Sequence, residues 1–185
     1  MGDQKNPELN DPQQSWEPEP IAADRFHRPG EWVNINRAPY DRVSGVLFKR
    51  AAHIVRVRYE PAAPAPQMPE PWQGRGPAIV RWLFSEQVGS EEHLLEGAKI
   101  EFVHDTRLPA GSCTGMQAHA HTAELIYVVA GMGWLYHRPT AGSPVVARVL
   151  RPGDAVLIEA GEYHSVANET ADSELQMVIL GLRYA

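Results

Sequence analysis

The stretch His119–Gly131 reads HAHTAELIYVVAG, and a second stretch, Gly153–Asn168, reads GDAVLIEAGEYHSVAN. Each sets metal-ligand types of side chain beside a short apolar run bounded by glycine. His119 and His121 stand two apart in a strand-like segment, so both imidazoles leave one face and can converge on one spot. Glu124 follows after only Thr122 and Ala123. If those two residues form a tight hairpin, positions 121 and 124 become cross-strand neighbours with side chains on the same face. Thr-Ala is poor chemistry for the favoured hairpin turns, so a distorted loop is expected there. His164 arrives much later, after the turn signal Ala160-Gly161. A single distant histidine is ordinarily solvated or hydrogen-bonded, and only its surroundings give it weight.

Outward from these stretches, the chain from Ala78 onward is a series of short apolar segments separated by turn residues. AIVRWLF, AKIEFVH, MQAHAH, ELIYVVA, GWLYHRP, VVARVL, DAVLIEA, HSVAN and LQMVILGLRY are the candidate strands. Breakers lie at Pro109-Ala110-Gly111, Gly131-Met132-Gly133, Pro152-Gly153 and Ala160-Gly161. Many short strands with little helical periodicity predict an antiparallel sandwich or barrel. LFSEQVGSEEHLLEG is read as room for one short helical turn.

The N-terminal part differs. To about Pro39 it is rich in Pro, Glu, Asp, Asn and Gln without periodicity, and reads as an extended arm. SGVLFKR and AHIVRVRY supply two β-rich stretches, and Pro61–Pro77 is a proline-rich loop, a spacer or a lid. The expected organisation is residues 1–77 as arm, two strands and loop packing on the barrel, and residues 78–185 as the barrel.

Composition narrows the function classes. A hydrophobic fraction of 43%, a charged fraction of 22% and a net charge of -6 fit a soluble globular protein and argue against nucleic acid. With one cysteine, Cys113, neither an internal disulfide nor a cysteine zinc site can form. No apolar run approaches a membrane span and no secretory signal opens the chain, so a cytoplasmic protein is expected. There is no G-x-S-x-G elbow, H-E-x-x-H helix or P-loop, and Ala123 stands where a His-x-Asp oxygenase motif would need Asp.

The two quoted stretches resemble the two motifs of the cupin superfamily, G-x5-H-x-H-x3-4-E-x6-G and G-x5-P-x-G-x2-H-x3-N. The match falls on His119, His121, Glu124 and Gly131 in the first and on Gly153, Gly161, His164 and Asn168 in the second. It covers roughly Ala78 to Ala185. Three positions depart from the pattern: Cys113 where the opening glycine would fall, a gap one residue short before Glu124, and Glu159 in place of proline. The resemblance implies an all-β double-stranded β-helix, the cupin jelly-roll barrel. It also implies one divalent metal held by His119, His121, Glu124 and His164.

Three imidazoles and a carboxylate suit Fe, Mn, Ni, Cu, Co or Zn. Neighbours are expected from strand parity. Gln117 shares the face of His119 and His121 and can orient a ligand or substrate. His104 points inward or is a strand-end histidine beside Asp105. Tyr163 and Glu159 flank the second motif as acid–base candidates or turn residues. His137, Trp134 and Tyr136 are assigned to aromatic packing. Leu125, Tyr127 and Val129 make the outer face of their strand apolar, which suggests a homodimer.

The fold hosts many reactions. The ligand set resembles that of cupin dioxygenases, so the expected function is a metal-dependent enzyme, dioxygenase-like or an isomerase or lyase. Its substrate would be a small oxygenated compound that chelates the ion. The alternative is a non-catalytic module binding a small metabolite or sugar.

Overall fold

The computed structural model describes residues 21–23, 40–43, 46–49, 54, 56–61, 72–85 and 99–183. These form twelve strands: β1 (Ile21–Ala23), β2 (Tyr40–Val43), β3 (Val46–Lys49), β4 (Arg56–Tyr59), β5 (Ala78–Ser85), β6 (Ile100–Leu108), β7 (Thr122–Ala130), β8 (Gly133–Arg138), β9 (Val146–Leu150), β10 (Ala155–Ile158), β11 (Tyr163–Ala167) and β12 (Leu175–Arg183). No helix occurs among the described residues, and the helical turn expected after Phe84 lies largely outside them, as do most of the N-terminal arm and the centre of the proline-rich loop.

Seven strands make one sheet in the order β1-β4-β5-β6-β12-β7-β10, and three make a second in the order β11-β8-β9. All pairings are antiparallel except β1 with β4. The jelly-roll class read from the sequence is the class observed. Strands β1 and β4 precede residue 78 and extend the large sheet. The hairpin β2–β3 stands as a separate pair.

Period-two patterning explains which way each strand faces. On β12, Leu175, Met177, Ile179 and Gly181 are buried and alternate with partly exposed neighbours. On β7, Glu124, Ile126 and Val128 face inward, whereas Tyr127 and Val129 remain 47% and 42% exposed in the single chain. Leu108, Ile126, Val128, Leu135, Leu175 and Met177 meet in one core with Trp82 and Phe102. Each such aliphatic side chain contributes about 1.5–3 kcal/mol by leaving water. Trp82 donates its indole N–H to the Tyr59 hydroxyl at 2.9 Å, which satisfies the one polar atom that it carries into the interior.

The closing asparagine of the second motif has a structural task. Fully buried Asn168 donates to the carbonyls of Leu108 and Ser173 at 2.9 and 2.7 Å and accepts from the Thr170 backbone at 3.0 Å. It thereby ties the end of β11 to β6 and to the turn that enters β12.

Gly131, between β7 and β8, has φ of +79°, and a Cβ there would lie 2.1 Å from the Glu174 carbonyl oxygen. Backbone cannot retreat as a flexible side chain can. Gly131→Ala is therefore expected to lower stability by about 3 kcal/mol, from backbone strain and overpacking together. Urea unfolding followed by tryptophan fluorescence checks this, and a midpoint unchanged from the natural chain would contradict it.

Candidate metal centre

The segment MQAHAH is not a strand of its own. Together with the residues before it from Cys113, it runs as a rail along the open edge of β11, joined by isolated bridges Cys113↔Ala167 and Gln117↔His164. Gln117 and His164 exchange both backbone hydrogen bonds, each at 2.9 Å, and Gly161 donates to the His119 carbonyl at 2.8 Å. Cross-strand partners project to the same side, and the side-chain amide of Gln117 reaches His164 Nε2 at 3.3 Å.

The chain then crosses to the large sheet, and Thr122 and Ala123 are already the first residues of β7. The tight Thr-Ala hairpin expected from the sequence is thus replaced by a bend before the strand. Glu124, third in β7, reaches across to the rail. Its two oxygens divide between two imidazoles: Oε2 lies 2.9 Å from His164 Nε2 and Oε1 lies 3.3 Å from His119 Nε2. The rings of His119 and His164 are 5.6 Å apart between centroids. One ligand atom from each of His119, Glu124 and His164 falls within a 4.8 Å group.

His121 does not join that group. The expectation that it would rested on a regular strand through 119–121, and the bend at Ala120 and His121 breaks the alternation. Its side chain is exposed. Gln117 instead brings its side-chain amide beside His164, 3.3 Å from Nε2. A signal for this was present in the spacing. With Gln117 and His119 as the paired positions, five residues separate Gly111 from Gln117, four separate His119 from Glu124, and six separate Glu124 from Gly131. The short gap and the misplaced opening glycine both disappear.

The electrostatics suit a cation. Burial by itself would raise the Glu124 carboxyl, but the hydrogen bond from His164 and the nearby imidazoles of His164, His119 and His104 outweigh it and hold it below its ordinary value. Glu124 is only 6% exposed and His164 2% exposed. His119 Nε2 is buried and makes no hydrogen bond among the described residues, being close to Glu124 Oε1 but not aligned with it. A buried carboxylate beside an unsatisfied imidazole nitrogen is costly unless a proton or metal completes the group. The residues present therefore fit one divalent ion, held by two imidazoles and a carboxylate with the Gln117 amide beside them.

His104 does face inward. Its ring stacks on Phe102 at 4.9 Å with an interplanar angle of 12°, leans on Trp82 at 5.0 Å, and pairs through Nδ1 with the Thr106 hydroxyl at 2.8 Å. Loss of hydration among these groups lowers it to about 4, opposed by the Glu124 charge and reinforced by His119. It is a neutral imidazole at pH 7. Phe102 can lie there because its register partner across β12 is Gly181. A Cβ at Gly181 would stand 2.4 Å from the Phe102 ring.

The other sequence candidates go elsewhere. Tyr163 lies on the face of β11 opposite to His164, under the Arg138 guanidinium at 4.9 Å. Glu159 is exposed. His137, assigned to aromatic packing, is instead paired with Glu162 at 2.9 Å and sits in register with His164.

The chain matches the family model for the cupin domain over residues 104–181. A solved structure described as a predicted oxalate decarboxylase from Thermotoga maritima is similar at 20% identity, covering 72% of this chain and 96% of that one with a TM-score of 0.52. A cupin 2 conserved barrel domain protein from Salinispora arenicola is similar at 19% identity over 57% of this chain and 75% of that one, with a TM-score of 0.44. A recombinant oxalate oxidase in complex with glycolate is similar at 18% identity over 57% and 51%, with a TM-score of 0.47. No curated protein matches the chain. At these identities the likeness to solved structures concerns the fold.

Proposed function

We propose, for a chain that belongs to the cupin superfamily through residues 104–181, a metal-dependent enzyme acting on a small oxygenated substrate. His119, Glu124 and His164 would hold one divalent transition metal. The observation that carries this is the 4.8 Å group of those three donors, with His119 Nε2 buried and without a hydrogen bond among the described residues.

Two imidazoles and one carboxylate are the donor set associated with non-haem iron oxygenases, which favours the oxidative reading over isomerase or lyase chemistry. The ion would supply Lewis acidity toward a substrate with adjacent oxygen donors and, as iron, redox chemistry with dioxygen. The chain's own contributions are then assigned. Glu124 offsets part of the cation's charge in the interior. Gln117, fixed by its paired backbone bonds to His164, turns an amide toward the donors. Neutral His104 offers a hydrogen-bonding nitrogen on a stacked, immobile ring. Ile126 and Val128, on the face of Glu124, exclude water from the wall below it. Oxalate, named for two of the similar folds, belongs in the substrate screen as one chelating diacid among several.

The test is metal analysis of protein purified without an affinity tag, followed by iron loading and oxygen-electrode measurements with a panel of chelating oxygenated acids. Near-stoichiometric iron, manganese, nickel, copper, cobalt or zinc and substrate-dependent oxygen uptake are expected. Folded protein that takes up no metal after reconstitution would sink the enzyme and leave the metal-free binding module in its place.

A further inference from the structure

Three residues of the smaller sheet and its rail lie in one row. Gln117 is bridged to His164, and His164 is in register with His137 of β8. Partners in register project from the same side, with Cβ atoms roughly 4.5–5.5 Å apart. His164 therefore stands between two polar neighbours. Gln117 turns its amide to His164 Nε2, whereas His137 turns its own Nε2 to the Glu162 carboxylate at 2.9 Å. The same carboxylate oxygen accepts from the Glu159 backbone N–H at 3.3 Å. Inside that turn, Gly161 donates to the His119 carbonyl at 2.8 Å. Glu162 is thus fixed by a turn that is itself fastened to the rail.

The hydrogens of the two rings follow from these partners. A carboxylate only accepts, so His137 carries its hydrogen on Nε2 and presents a lone pair at Nδ1. That Nδ1 makes no hydrogen bond among the described residues. His164 needs the opposite arrangement. Its Nε2 faces Glu124 at 2.9 Å, and a ring that lends this nitrogen to a cation carries its hydrogen on Nδ1. His164 is 2% exposed, and its Nδ1 is buried without a hydrogen bond among the described residues. The two nitrogens of an imidazole leave opposite edges of the ring. With Nε2 turned to Gln117, Nδ1 is on the edge away from it, and the neighbour on that side of the row is His137.

A donor lacking an acceptor and an acceptor lacking a donor thus occupy adjacent places in one row. A single water satisfies both, accepting from one ring and donating to the other, as buried waters ordinarily do for such groups.

We propose that Glu162 and His137 form a positioning pair for His164: one water joins the His164 Nδ1–H to the bare Nδ1 of His137, and Glu162 holds that ring in the tautomer able to receive it. This rests on the metal centre proposed above and adds the residues that orient one of its donors. Neither residue belongs to the donor group itself.

Cobalt titration of the metal-stripped full chain, read by calorimetry and by the visible absorption of bound cobalt, tests the pair. His137→Phe keeps an aromatic ring without nitrogen. It is expected to weaken cobalt binding about 10–100-fold and to shift the absorption bands, because His164 loses the contact that orients it. Glu162→Gln is expected to cost about tenfold. The double variant loses no more than His137→Phe alone, since the two residues act in one chain. His137→Gln keeps a donor for Glu162 and an acceptor for the water, so it returns affinity to within about threefold of the natural chain and restores the bands. Thermal unfolding without metal is measured on each variant, and Glu162→Gln carries the test if His137→Phe does not fold. Natural affinity and an unchanged spectrum in either folded variant overturn the pair and leave the metal centre standing. So do equal losses in His137→Phe and His137→Gln, or additive losses in the double variant. A natural chain that takes up no cobalt overturns the metal centre, and the pair falls with it.

Discussion

His164→Ala is expected to bind divalent metal at least about a hundredfold more weakly than the natural chain, whereas His121→Ala binds it within about threefold. Removing an outer hydrogen-bonding partner of a metal site ordinarily costs 10–100-fold, and loss of one of three directly facing donors costs more. His164 is 2% exposed and lies 2.9 Å from Glu124, so the variant also leaves that carboxylate buried with one neighbour fewer. His121 is exposed and outside the donor group. Gln117→Ala falls between the two, about 10–100-fold, because its amide stands beside His164 Nε2 at 3.3 Å. Calorimetric titration with manganese or zinc separates the three variants. Equal losses in His121→Ala and His164→Ala would restore His121 to the ligand set and refute the assignment of Gln117.

The second large effect concerns pH. His104 is neutral in the folded chain down to about 4, while in the unfolded chain it takes up a proton near its ordinary value of 6.5. Between those values the unfolded state binds more protons, so stability rises with pH across the window and is lost as pH falls through it. The full span corresponds to roughly 3 kcal/mol, at about 1.4 kcal/mol for each pH unit of difference. Glu124, held below its ordinary value, acts in the same direction further down. Its stabilising contribution is present above the ordinary carboxylate range and disappears as acid protonates it. Chemical denaturation of metal-stripped protein at intervals from pH 7 to 4 measures the slope. His104→Gln, which keeps a hydrogen-bonding group but does not titrate, should flatten it by up to about 1.4 kcal/mol per pH unit near pH 5. An unaltered slope would show that His104 charges freely in the folded chain.

Much of this architecture was written in local pattern. The alternation in ELIYVVA and LQMVILGLRY determines which side chains of β7 and β12 enter the core, because a one-residue slip would exchange the two faces. The positions of Glu124 and His164 were legible for the same reason. What the pattern could not convey was the path between His119 and Glu124. A run such as HAHTAE satisfies strand alternation, yet its residues leave one sheet and enter the other. Only the hydrogen bonds of Gln117 with His164 and of Gly161 with His119 determine where that crossing occurs. Such contacts join residues more than forty positions apart and leave no local trace. The inward pose of His104 was half legible, since parity pointed it toward the core while its place at a strand end beside Asp105 read as partly exposed. The missing side chain at Gly181 decided the matter by making room for Phe102, against which the imidazole stacks.

Glu124 is carried by the seven-stranded sheet, and His119 and His164 by the rail and strand of the other. A cation shared among them would fasten the two walls together as a rivet does. Proteases in a cell cut chains caught with their walls apart, so the lifetime of this protein would follow metal supply.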